Sequence, residues 1–425
     1  MVRRRTLLIG AGAALAGAAV MKPRIAGGAH DAYFAAMQQT LREHGIDRPV
    51  LVIDLDRLDR NIDRVVASAA VAPARRFRIV VKSLPAPGLI DYVARRAGTH
   101  AGMVFHRPFL EAMARLRPDA DLLLGKPMPV AALAHFYDNH KGAFDPARQL
   151  QWLVDTPERL AQYLAFAKAR GLRLRINLEL DVGLRRGGFA SPEAIAAPLD
   201  TLAANTGQLE FAGFMGYDAH LMGLPAFAAD AEFPRVKARY AACTGYVRER
   251  HGALLEAAGE RLCLNGAGSP TFRRYEGASL LNDVSVGTAL MKPTHYDLPI
   301  LADFEPSAFI ATPVLKSLPS SGMPTMEWLA APMRAWDPNT ARTWFVYSGN
   351  WMATPESPPG LQPIGIYASS NQQGFYGSER VQLGVDDFLF LRPYQSEAVL
   401  LQFGDLIALR DGQIEARWPV LAAGV

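Results

Sequence analysis

The segment Phe77-Arg78-Ile79-Val80-Val81-Lys82 starts an alternation of apolar, strand-like runs and helix-length segments, and this alternation decides the fold. Seven more runs of the same kind follow at residues 98–103, 121–125, 150–155, 172–181, 209–217, 261–266 and 283–287. Helix-length segments separate most of these runs, including residues 88–97, 108–116, 157–170 and 192–204. Apolar strands that alternate with helices are typical of parallel sheets covered on both faces. Eight such units predict an α/β fold, a closed (β/α)8 TIM barrel, and an open doubly wound sheet is the alternative.

The chain on either side of this alternation has a different pattern. On the N-terminal side, residues 31–44 have helical spacing that ends at Gly45, and a strand at 49–55 and a helix at 58–70 follow. Beyond residue 300, prolines separate short β-like runs at 309–315, 343–347, 388–392, 406–409 and 414–418, which is typical of an antiparallel module. Residues 348–376, rich in Gly, Pro, Ser and Asn, are predicted to form a long loop. The predicted domains are a barrel with an N-terminal extension at 30–305 and a C-terminal antiparallel β-domain at 306–425.

Composition and charge indicate a globular protein with a large core and no nucleic-acid footprint. Half of the 425 residues are hydrophobic and a fifth are charged, which suffices for a large core. The formal net charge is only +4, and part of it comes from the first 24 residues. Proteins that bind nucleic acid carry clustered Lys and Arg interleaved with aromatic residues, and the sequence has no such cluster. We therefore expect no nucleic-acid partner.

Residues 1–29 have the pattern of a targeting segment. Arg3-Arg4-Arg5 precede an apolar run of small residues at 6–20, and the small residues at 26–29 suit cleavage before His30. The arginines followed by Thr6-Leu7-Leu8 are similar to a twin-arginine signal. An uncleaved membrane anchor is the alternative, but the apolar run is shorter than a membrane-spanning helix. We expect twin-arginine export of the folded protein to the periplasm, without stable membrane insertion once the signal is cleaved.

The two cysteines, Cys243 and Cys263, carry little functional information. Neither has a nearby pair of histidines, so they do not form a zinc signature. Cys263 lies in an apolar strand-like run, where a thiol packs as a small hydrophobic group. We expect two separately buried thiols, and export leaves a disulfide open as the alternative.

The chemistry-bearing residues lie where the predicted strands end. Catalytic groups of (β/α)8 barrels come from these ends, and here they are Lys82, Asp181 with Arg186, Tyr217 with His220, residues 266–269 and residues 287–288. Lys82 closes an apolar run, and partial desolvation there favours the neutral amine that forms a Schiff base. The alternative is a strand-end lysine whose amine simply extends into water.

Two glycine-containing segments predict a phosphate site. Gly266-Ala267-Gly268-Ser269 follows the seventh strand and Gly287-Thr288 follows the eighth. Loops at these positions of barrels commonly bind phosphate through backbone N–H groups and small hydroxyls. Each segment alone also fits an ordinary turn. Together with Lys82, expected across the barrel from them, they predict a cradle for a phosphorylated carbonyl cofactor.

Six motifs occur in a fixed order along the chain: PVLVIDLD at 49–56, RIVVKS at 78–83, DVGLRRGGF at 181–189, GYDAH at 216–220, NGAGSPT at 265–271 and VGT at 286–288. With these motifs the chain resembles the D-threonine aldolase and D-serine dehydratase group of fold-type III pyridoxal phosphate enzymes, which are related to alanine racemase. The similarity runs from about residue 45 to the C-terminus. No single motif is decisive, but their order and spacing are specific.

The resemblance implies roles for individual residues of this chain. Lys82 would hold pyridoxal phosphate covalently, Arg186 would face the cofactor ring, and Tyr217 and His220 would lie beside it. The implied phosphate ligands are Gly266, Gly268, Ser269, Gly287 and Thr288. A structural ion pair of Arg186 with Asp181, and a loop role for His220, remain the alternatives. The resemblance also implies a homodimer.

The sequence departs from the family pattern in two places. The family carries a histidine two residues before the lysine and another two residues after it, where this chain has Val80 and Leu84. The family also binds a metal through a histidine and, two residues later, an aspartate or cysteine. The matching positions are Gln395 and Glu397. An amide and a carboxylate favour a hard ion such as Mn²⁺ or Mg²⁺ over Zn²⁺, or no ion at all.

The resemblance implies a lyase that cleaves or dehydrates β-hydroxy-D-amino acids. An amino-acid racemase is the second hypothesis, with Tyr394 or a tyrosine of a partner subunit as the additional acid or base that inversion requires. A non-catalytic pyridoxal phosphate-binding protein is the third, motivated by the missing histidines. Turnover of hydroxy substrates would support the lyase, and inversion of D-alanine would support the racemase. A bound cofactor with neither activity would support the binding protein.

Overall fold

The structure, a computed structural model, describes residues 22–72, 75–319, 325–347, 349–365 and 371–421. Most of the predicted leader, residues 1–21, lies outside the described residues. The chain forms two compact units. The first, here called the barrel unit, comprises Ile53–Ser307, Gln395–Ala408 and Ala416–Val425. The second, here called the sheet unit, comprises the described residues up to Val52 together with Ala308–Tyr394 and Leu409–Glu415. The part of the predicted N-terminal extension up to Val52 thus lies in the sheet unit, and residues 395–408 of the predicted β-domain lie in the barrel unit.

The barrel unit contains a closed barrel of eight parallel strands. After β1 (Val50–Asp54), the barrel strands are β2 (Arg76–Val80), β3 (Ala101–Val104), β4 (Asp121–Leu124), β5 (Leu150–Val154), β6 (Leu174–Leu180), β7 (Leu209–Gly216), β8 (Cys263–Gly266) and β9 (Asp283–Val286). Each pairs with the next in parallel, and β2 pairs with β9 to close the ring. This confirms the predicted (β/α)8 barrel, and the open-sheet alternative is wrong. Because β2 and β9 are neighbours, Lys82 lies next to the 287–288 loop rather than across the barrel from it.

Helices connect the barrel strands, and their ends follow the local sequence. After α1 (Ala32–Glu43), these helices are α2 (Leu55–Ala70), α3 (Pro87–Ala97), α4 (Arg107–Leu116), α5 (Val130–Asn139), α6 (Pro146–Gln149), α7 (Pro157–Arg170), α8 (Pro192–Ala204), α9 (Ala226–Arg250), α10 (Gly252–Ala258) and α11 (Thr288–Met291). Thr156 caps α7 by accepting a hydrogen bond from the Arg159 N–H, and Gly171 ends it with a positive φ of 62°.

Within the described ranges, no helix combines the length and apolar composition that crossing a membrane requires.

Paired charges fill the barrel interior near the strand starts. Arg78 is fully buried and donates to both carboxylate oxygens of Asp283, at 2.9 and 2.8 Å, and to Asp121 at 3.0 Å. Burial opposes the charge on Arg78, but the carboxylates of Asp283 and Asp121 outweigh it and raise the pKa of the guanidinium. Burial likewise opposes the charge on Asp121, but Arg78 outweighs it and lowers the pKa of that carboxyl. Cys263 lies beside this cluster, and both cysteines are free and buried, so the disulfide alternative is wrong.

The sheet unit is built on antiparallel pairs, as predicted. Its strands and the last two of the chain are β10 (Ala308–Leu318), β11 (Arg342–Val346), β12 (Ala353–Ser357), β13 (Gln362–Pro363), β14 (Gly374–Gly377), β15 (Phe388–Pro393), β16 (Asp405–Arg410) and β17 (Gln413–Pro419). Strand β10 pairs with β11 and β15, β14 with β11 and β13, and β12 with β15. The predicted loop at 348–376 is wrong, since it contains β12, β13 and most of β14. The Gly and Pro content of this segment is atypical of strands. Its strands form because they pair with β11 and β15, and local propensity does not predict them.

Candidate active site

Lys82 lies at the open end of the barrel, two residues beyond the end of β2. A single turn over Val81–Ser83 directs its side chain, which is one-third exposed. The Lys82 Nζ is 2.8 Å from Glu397 Oε2 and 4.6 Å from the centre of the Phe105 ring. Glu397 belongs to α13 (Ser396–Leu400), which follows α12 (Ala330–Trp336) in the chain. The amine is therefore held by a carboxylate and an aromatic face at the entrance to the barrel.

Strand ends from around the barrel line one cavity at this entrance, with a volume of about 120 Å³. Its lining includes the predicted site residues Lys82, Arg186, Tyr217, Gly268, Ser269, Gly287 and Thr288. The structure therefore brings together most of the strand-end groups that the sequence singles out. Val80, Met103, Met215, Asn265 and Ser285 complete its floor from within the strands.

Small hydroxyl groups form one side of this cavity. Ser269 Oγ accepts hydrogen bonds from the backbone N–H groups of Gly287, at 3.2 Å, and Ala289, at 3.0 Å. The hydroxyls of Ser83 and Thr288 are 2.9 Å apart, which ties the turn that carries Lys82 to the loop after β9. The Gly287 and Ala289 N–H groups hold the Ser269 hydroxyl in place, and a cluster of small hydroxyls of this kind suits a phosphate group. The neighbouring strands β2 and β9 therefore carry the amine and this cradle side by side.

Two glycines allow the close packing of this side. A Cβ at Gly287 would lie 2.8 Å from Cβ of both Val80 and Ser83, so a larger residue there would separate β9 from β2. A Cβ at Gly268 would lie 2.6 Å from the Tyr217 ring. Gly266 has a different role, because its Cα faces Leu281 and it is not among the cavity-lining residues in the described part of the chain.

Arg186 is carried by a tight loop after β6. Asp181 Oδ1 accepts hydrogen bonds from the N–H groups of Gly183 and Arg185, both at 2.9 Å, so Asp181 shapes the loop rather than pairing with Arg186. The loop closes where Phe189 N–H donates to the Glu179 carbonyl at 2.8 Å. The Arg186 guanidinium then lies 5.2 Å from the centre of the Tyr217 ring. Its carboxylate neighbour is Glu179, at 3.7 Å.

Glu179 is a titratable group that the sequence analysis missed. Its side chain is only 8% exposed, and burial raises the pKa of its carboxyl to about 7, despite the opposing effect of Arg186. Burial also raises the pKa of Tyr217 above its usual range. Glu179 is the penultimate residue of β6, inside an apolar strand, where the pattern gives no reason to expect an ionisable site residue.

A second, larger cavity of about 510 Å³ adjoins the first and shares Lys82, Phe105, Gly125, Arg186 and Glu397 with it. Its other lining residues are His106, Phe109, Lys126, Pro127, Asp155, Glu179, Gly187 and Leu401. Phe105 and Gly125 directly follow β3 and β4, so the strand-end rule that identified Lys82 could have found them. Tyr296, which lines the first cavity from a later turn, has no comparable signal in the sequence.

Two sequence-predicted groups are not where the sequence placed them. His220 lies in a turn after β7, 3.9 Å from Glu232 Oε1, and is not among the residues that line either cavity in the described part of the chain. Of the predicted metal ligands, Glu397 instead pairs with Lys82. The described residues contain no group of three or more His, Cys, Asp or Glu side chains that could hold a metal ion.

The fold and the cavity define a class of protein: (β/α)8 barrels with a lysine at the end of the first strand and a phosphate cradle beside it. The chain belongs to the alanine racemase N-terminal domain family, whose model matches residues 53–294. It is 24% identical over 396 residues to 3-hydroxy-D-aspartate aldolase of Paracoccus denitrificans (strain Pd 1222), covering 90% of this chain and 93% of that protein.

Solved structures share this fold. D-threonine aldolase from Filomicrobium marinum matches with a TM-score of 0.70 at 18% identity, covering 89% of this chain and 98% of that one. D-threo-3-hydroxyaspartate dehydratase from Delftia sp. HT23 matches with a TM-score of 0.69 at 18% identity, covering 88% and 98%. The family and fold are those of fold-type III pyridoxal phosphate enzymes.

The residues present fit pyridoxal phosphate. Lys82 provides an amine at the cavity, and the hydroxyls of Ser83, Ser269 and Thr288 provide a phosphate site one strand away. The Tyr217 ring and the Arg186 guanidinium line the space between. The absence of side chains at Gly268 and Gly287 keeps the cradle compact enough for backbone groups to reach a phosphate.

Proposed function

We propose that this protein is a pyridoxal phosphate-dependent lyase that acts on β-hydroxy-D-amino acids. The observation that carries the proposal is the placement of Lys82 beside the hydroxyl and glycine cradle in one cavity of an alanine racemase-family barrel. The names of the relatives, an aldolase and a dehydratase for hydroxylated D-amino acids, support the reaction class. Pyridoxal phosphate, when bound, supplies an electron sink for charge that develops at the substrate α-carbon.

The chain's own residues would then position the reactants. Lys82 would hold the cofactor, and its Nζ would accept a proton when the amine is free. Ser269 and Thr288 would bind the phosphate, and Arg186, which lies over the Tyr217 ring, would orient the bound groups. Because the larger cavity opens directly from Lys82, it is where the substrate side chain would lie.

The larger cavity presents two cationic side chains to a second substrate carboxylate. Lys126 and Arg186 line it together with the carboxyl groups of Asp155, Glu179 and Glu397, and burial raises the pKa of Glu179, the neighbour of Arg186, to about 7. A relative is named for 3-hydroxy-D-aspartate, which carries a second carboxylate. We therefore propose 3-hydroxy-D-aspartate as the first substrate to test, followed by D-threonine and D-serine.

One assay tests the proposed function. The purified protein, saturated with pyridoxal phosphate, is offered 3-hydroxy-D-aspartate, D-threonine, D-serine and D-alanine while glycine, aldehyde, ammonia and chirality are followed. We expect cleavage or dehydration of the hydroxy substrates and no inversion of D-alanine. Inversion of D-alanine would replace the proposal with a racemase. A bound, absorbing cofactor without any turnover would replace it with a binding protein.

We also propose that the protein is exported to the periplasm by the twin-arginine route. The support is the Arg3-Arg4-Arg5 cluster followed by the apolar run at 6–20. Replacing Arg4 and Arg5 with lysine preserves the charge and should retain the protein in the cytoplasm, as measured by cell fractionation. An unchanged distribution between fractions would contradict this route.

A homodimer is proposed on the family resemblance alone. Light scattering of the purified protein, coupled to size-exclusion chromatography, should give twice the mass of the processed chain. A mass equal to one chain would contradict this expectation.

A further inference from the structure

The part of the cavity beside Lys82, here called the corner, differs from the metal site that the family resemblance implies at Gln395 and Glu397. Glu397 Oε2 lies 2.8 Å from the Lys82 amine. The preceding residue, Ser396, is buried, and its hydroxyl lies 3.5 Å from the Thr288 hydroxyl. The first turn of α13 is thus anchored on the cradle, and this anchor directs the Glu397 carboxylate toward Lys82.

The donor set at this corner does not fit a divalent ion. Gln395 offers a neutral amide, and Glu397 is already paired with an ammonium group. While the Lys82 amine is free, a divalent ion bound at Glu397 would lie close to its charge, and like charges at this distance repel. The described residues also supply no cluster of three or more His, Cys, Asp or Glu side chains. Metal sites in proteins require such convergent ligands.

We infer that Glu397 takes the place of the metal: its carboxylate, without a divalent ion, accepts a hydrogen bond from the substrate's β-hydroxyl group. This inference rests on the proposed function. A substrate amine that takes the place of the Lys82 amine lies within hydrogen-bond distance of Glu397. A hydroxyl on the adjacent carbon comes within the same reach, because vicinal amine and hydroxyl groups lie about 3 Å apart when gauche. A substrate without the hydroxyl keeps only the contact between its amine and Glu397, whereas a β-hydroxy substrate gains a second hydrogen bond.

Metal binding is tested without reference to turnover. Metal content is measured by mass spectrometry on the holoenzyme, and thermal unfolding is followed with EDTA, Mn²⁺, Mg²⁺ and Zn²⁺. We expect less than a tenth of an equivalent of any divalent metal and no shift of Tm with EDTA or added ions. One equivalent of a metal that EDTA removes, with a lower Tm, would overturn the inference while leaving the proposed lyase function intact.

The role of Glu397 is tested by Glu397→Gln, which keeps the shape and removes the charge. We expect kcat/KM for β-hydroxy substrates to fall about a hundredfold, with partial recovery in Glu397→Asp. Binding of D-alanine, followed through the cofactor absorbance, should weaken by less than about tenfold, because only its amine contacts residue 397. Glu193→Gln, at the same position of the first turn in α8, is the matched control. Equal losses for D-alanine binding and hydroxy-substrate turnover would overturn the specific role.

A separate observation concerns the N-terminal edge of the sheet unit. Residues 24–30, here called the strap, are hydrogen-bonded within that unit. The Asn339 side chain donates to the Arg24 carbonyl and accepts from the Ala26 N–H, at 2.9 and 2.8 Å. The Gln382 N–H donates to the Gly28 carbonyl at 2.9 Å. The strap thus has partners along its length that cleavage before His30 would remove.

Backbone conformation reinforces this docking. Gly27 has a φ of 126°, and a Cβ there would lie 2.9 Å from the Val381 nitrogen. The strap end is also fixed, since His30 Nδ1 lies 2.9 Å from Ser357 Oγ and its ring packs edge-on against Phe390. A docked segment of this kind is a poor substrate for a peptidase, which binds extended chain.

We propose that the strap is retained in the mature protein, so that any removal of the leader occurs before Arg24. Mass spectrometry of protein purified from the cell should place the N-terminus at or before residue 24, and an N-terminus at His30 would overturn the proposal. In a second measurement, Gly27→Ala should lower Tm by several degrees. The control is Gly207→Ala, where a Cβ meets no atom within 4 Å. An unchanged Tm for Gly27→Ala would contradict the docking.

Discussion

The two ends of the barrel use charged residues in opposite ways. At the strand starts, Arg78 and Asp283 are fully buried and joined by two hydrogen bonds. At the strand ends, Lys82 and Glu397 also form a close pair, but their side chains are 33% and 46% exposed. At the strand starts, here called the closed end, the charged side chains pair with one another away from water. At the open end, the amine and the carboxylate stay accessible to a ligand.

This difference assigns stability to one end and chemistry to the other. A buried pair that loses one partner leaves a charge in a medium of low polarity, and folding becomes less favourable. A half-exposed pair contributes little to folding because water screens it. Substitutions of the Arg78–Asp283 pair should therefore alter unfolding, and substitutions of the Lys82–Glu397 pair should alter cofactor binding and turnover.

The largest expected effect is at the open end. Lys82→Ala removes the amine, and we expect turnover of β-hydroxy-D-amino acids to fall by at least ~10³-fold. Borohydride should fix no cofactor to the variant, while Tm stays close to that of wild type. Lys168→Ala, an exposed lysine of α7, is the control. A cofactor that borohydride still fixes to the Lys82→Ala variant would assign the amine to another lysine.

At the closed end, Arg78→Met should lower the free energy of unfolding by about 3–5 kcal/mol. The cause is that Asp283 loses its main partner in a fully buried position. Denaturant unfolding measures the change. The double variant Arg78→Met with Asp283→Asn should recover part of the lost free energy of unfolding, since it removes the unpaired carboxylate charge. If the double variant is less stable than Arg78→Met alone, the loss of the Arg78–Asp283 pair is not the cause of the destabilisation.

Glu179→Gln tests a buried acid at the open end through pH. The folded-state pKa of about 7 lies above the unfolded value, so the stability that Glu179 contributes is complete below about pH 4.5 and is lost as pH rises through 7. Relative to wild type, the variant should gain about 3 kcal/mol between pH 5 and 8. Urea unfolding across this range measures it, with Glu249→Gln, an exposed residue of α9, as the control. Parallel pH profiles for wild type and Glu179→Gln would contradict the raised pKa.

A smaller effect is expected at Gly125. An added Cβ would lie 2.2 Å from the Phe105 ring, and that ring contacts the Lys82 amine. Gly125→Ala should therefore displace Phe105 and weaken cofactor affinity about tenfold, or about 1.4 kcal/mol. Titration of the apoprotein with pyridoxal phosphate gives the affinity. In Gly252→Ala, where a Cβ has open space, the affinity should not change.

The smallest effect is an expected absence of reaction. Cys263 at the closed end is fully buried, and burial raises the pKa of its thiol to about 12, while that of Cys243 is raised to about 11. A thiol reagent at pH 8 should modify neither cysteine in the folded protein and both after denaturation. An amine reagent should modify Lys82 in the folded apoprotein. Rapid labelling of Cys263 would show that water reaches the closed end.

Strand ends were predictable from the sequence, whereas the neighbours of each side chain were not. Lys82, Tyr217, Ser269 and Thr288 follow apolar runs, and the barrel rule places such residues at one mouth. Phe105 and Gly125 obey the same rule, but neither residue type signals chemistry on its own. His220 follows its strand as well, yet its turn directs the ring toward Glu232 instead of the cavity.

The sequence by itself determined the number and order of the barrel strands and the kinds of group at their ends, because apolar periodicity is a local property that each segment carries. Only the tertiary structure decided which of these groups share a cavity. The contact of Lys82 with Glu397, the burial that raises the pKa of Glu179, and the pairing of β12 to β14 all join residues distant in sequence or depend on packing. Such effects arise from three-dimensional neighbours, and no local pattern encodes them.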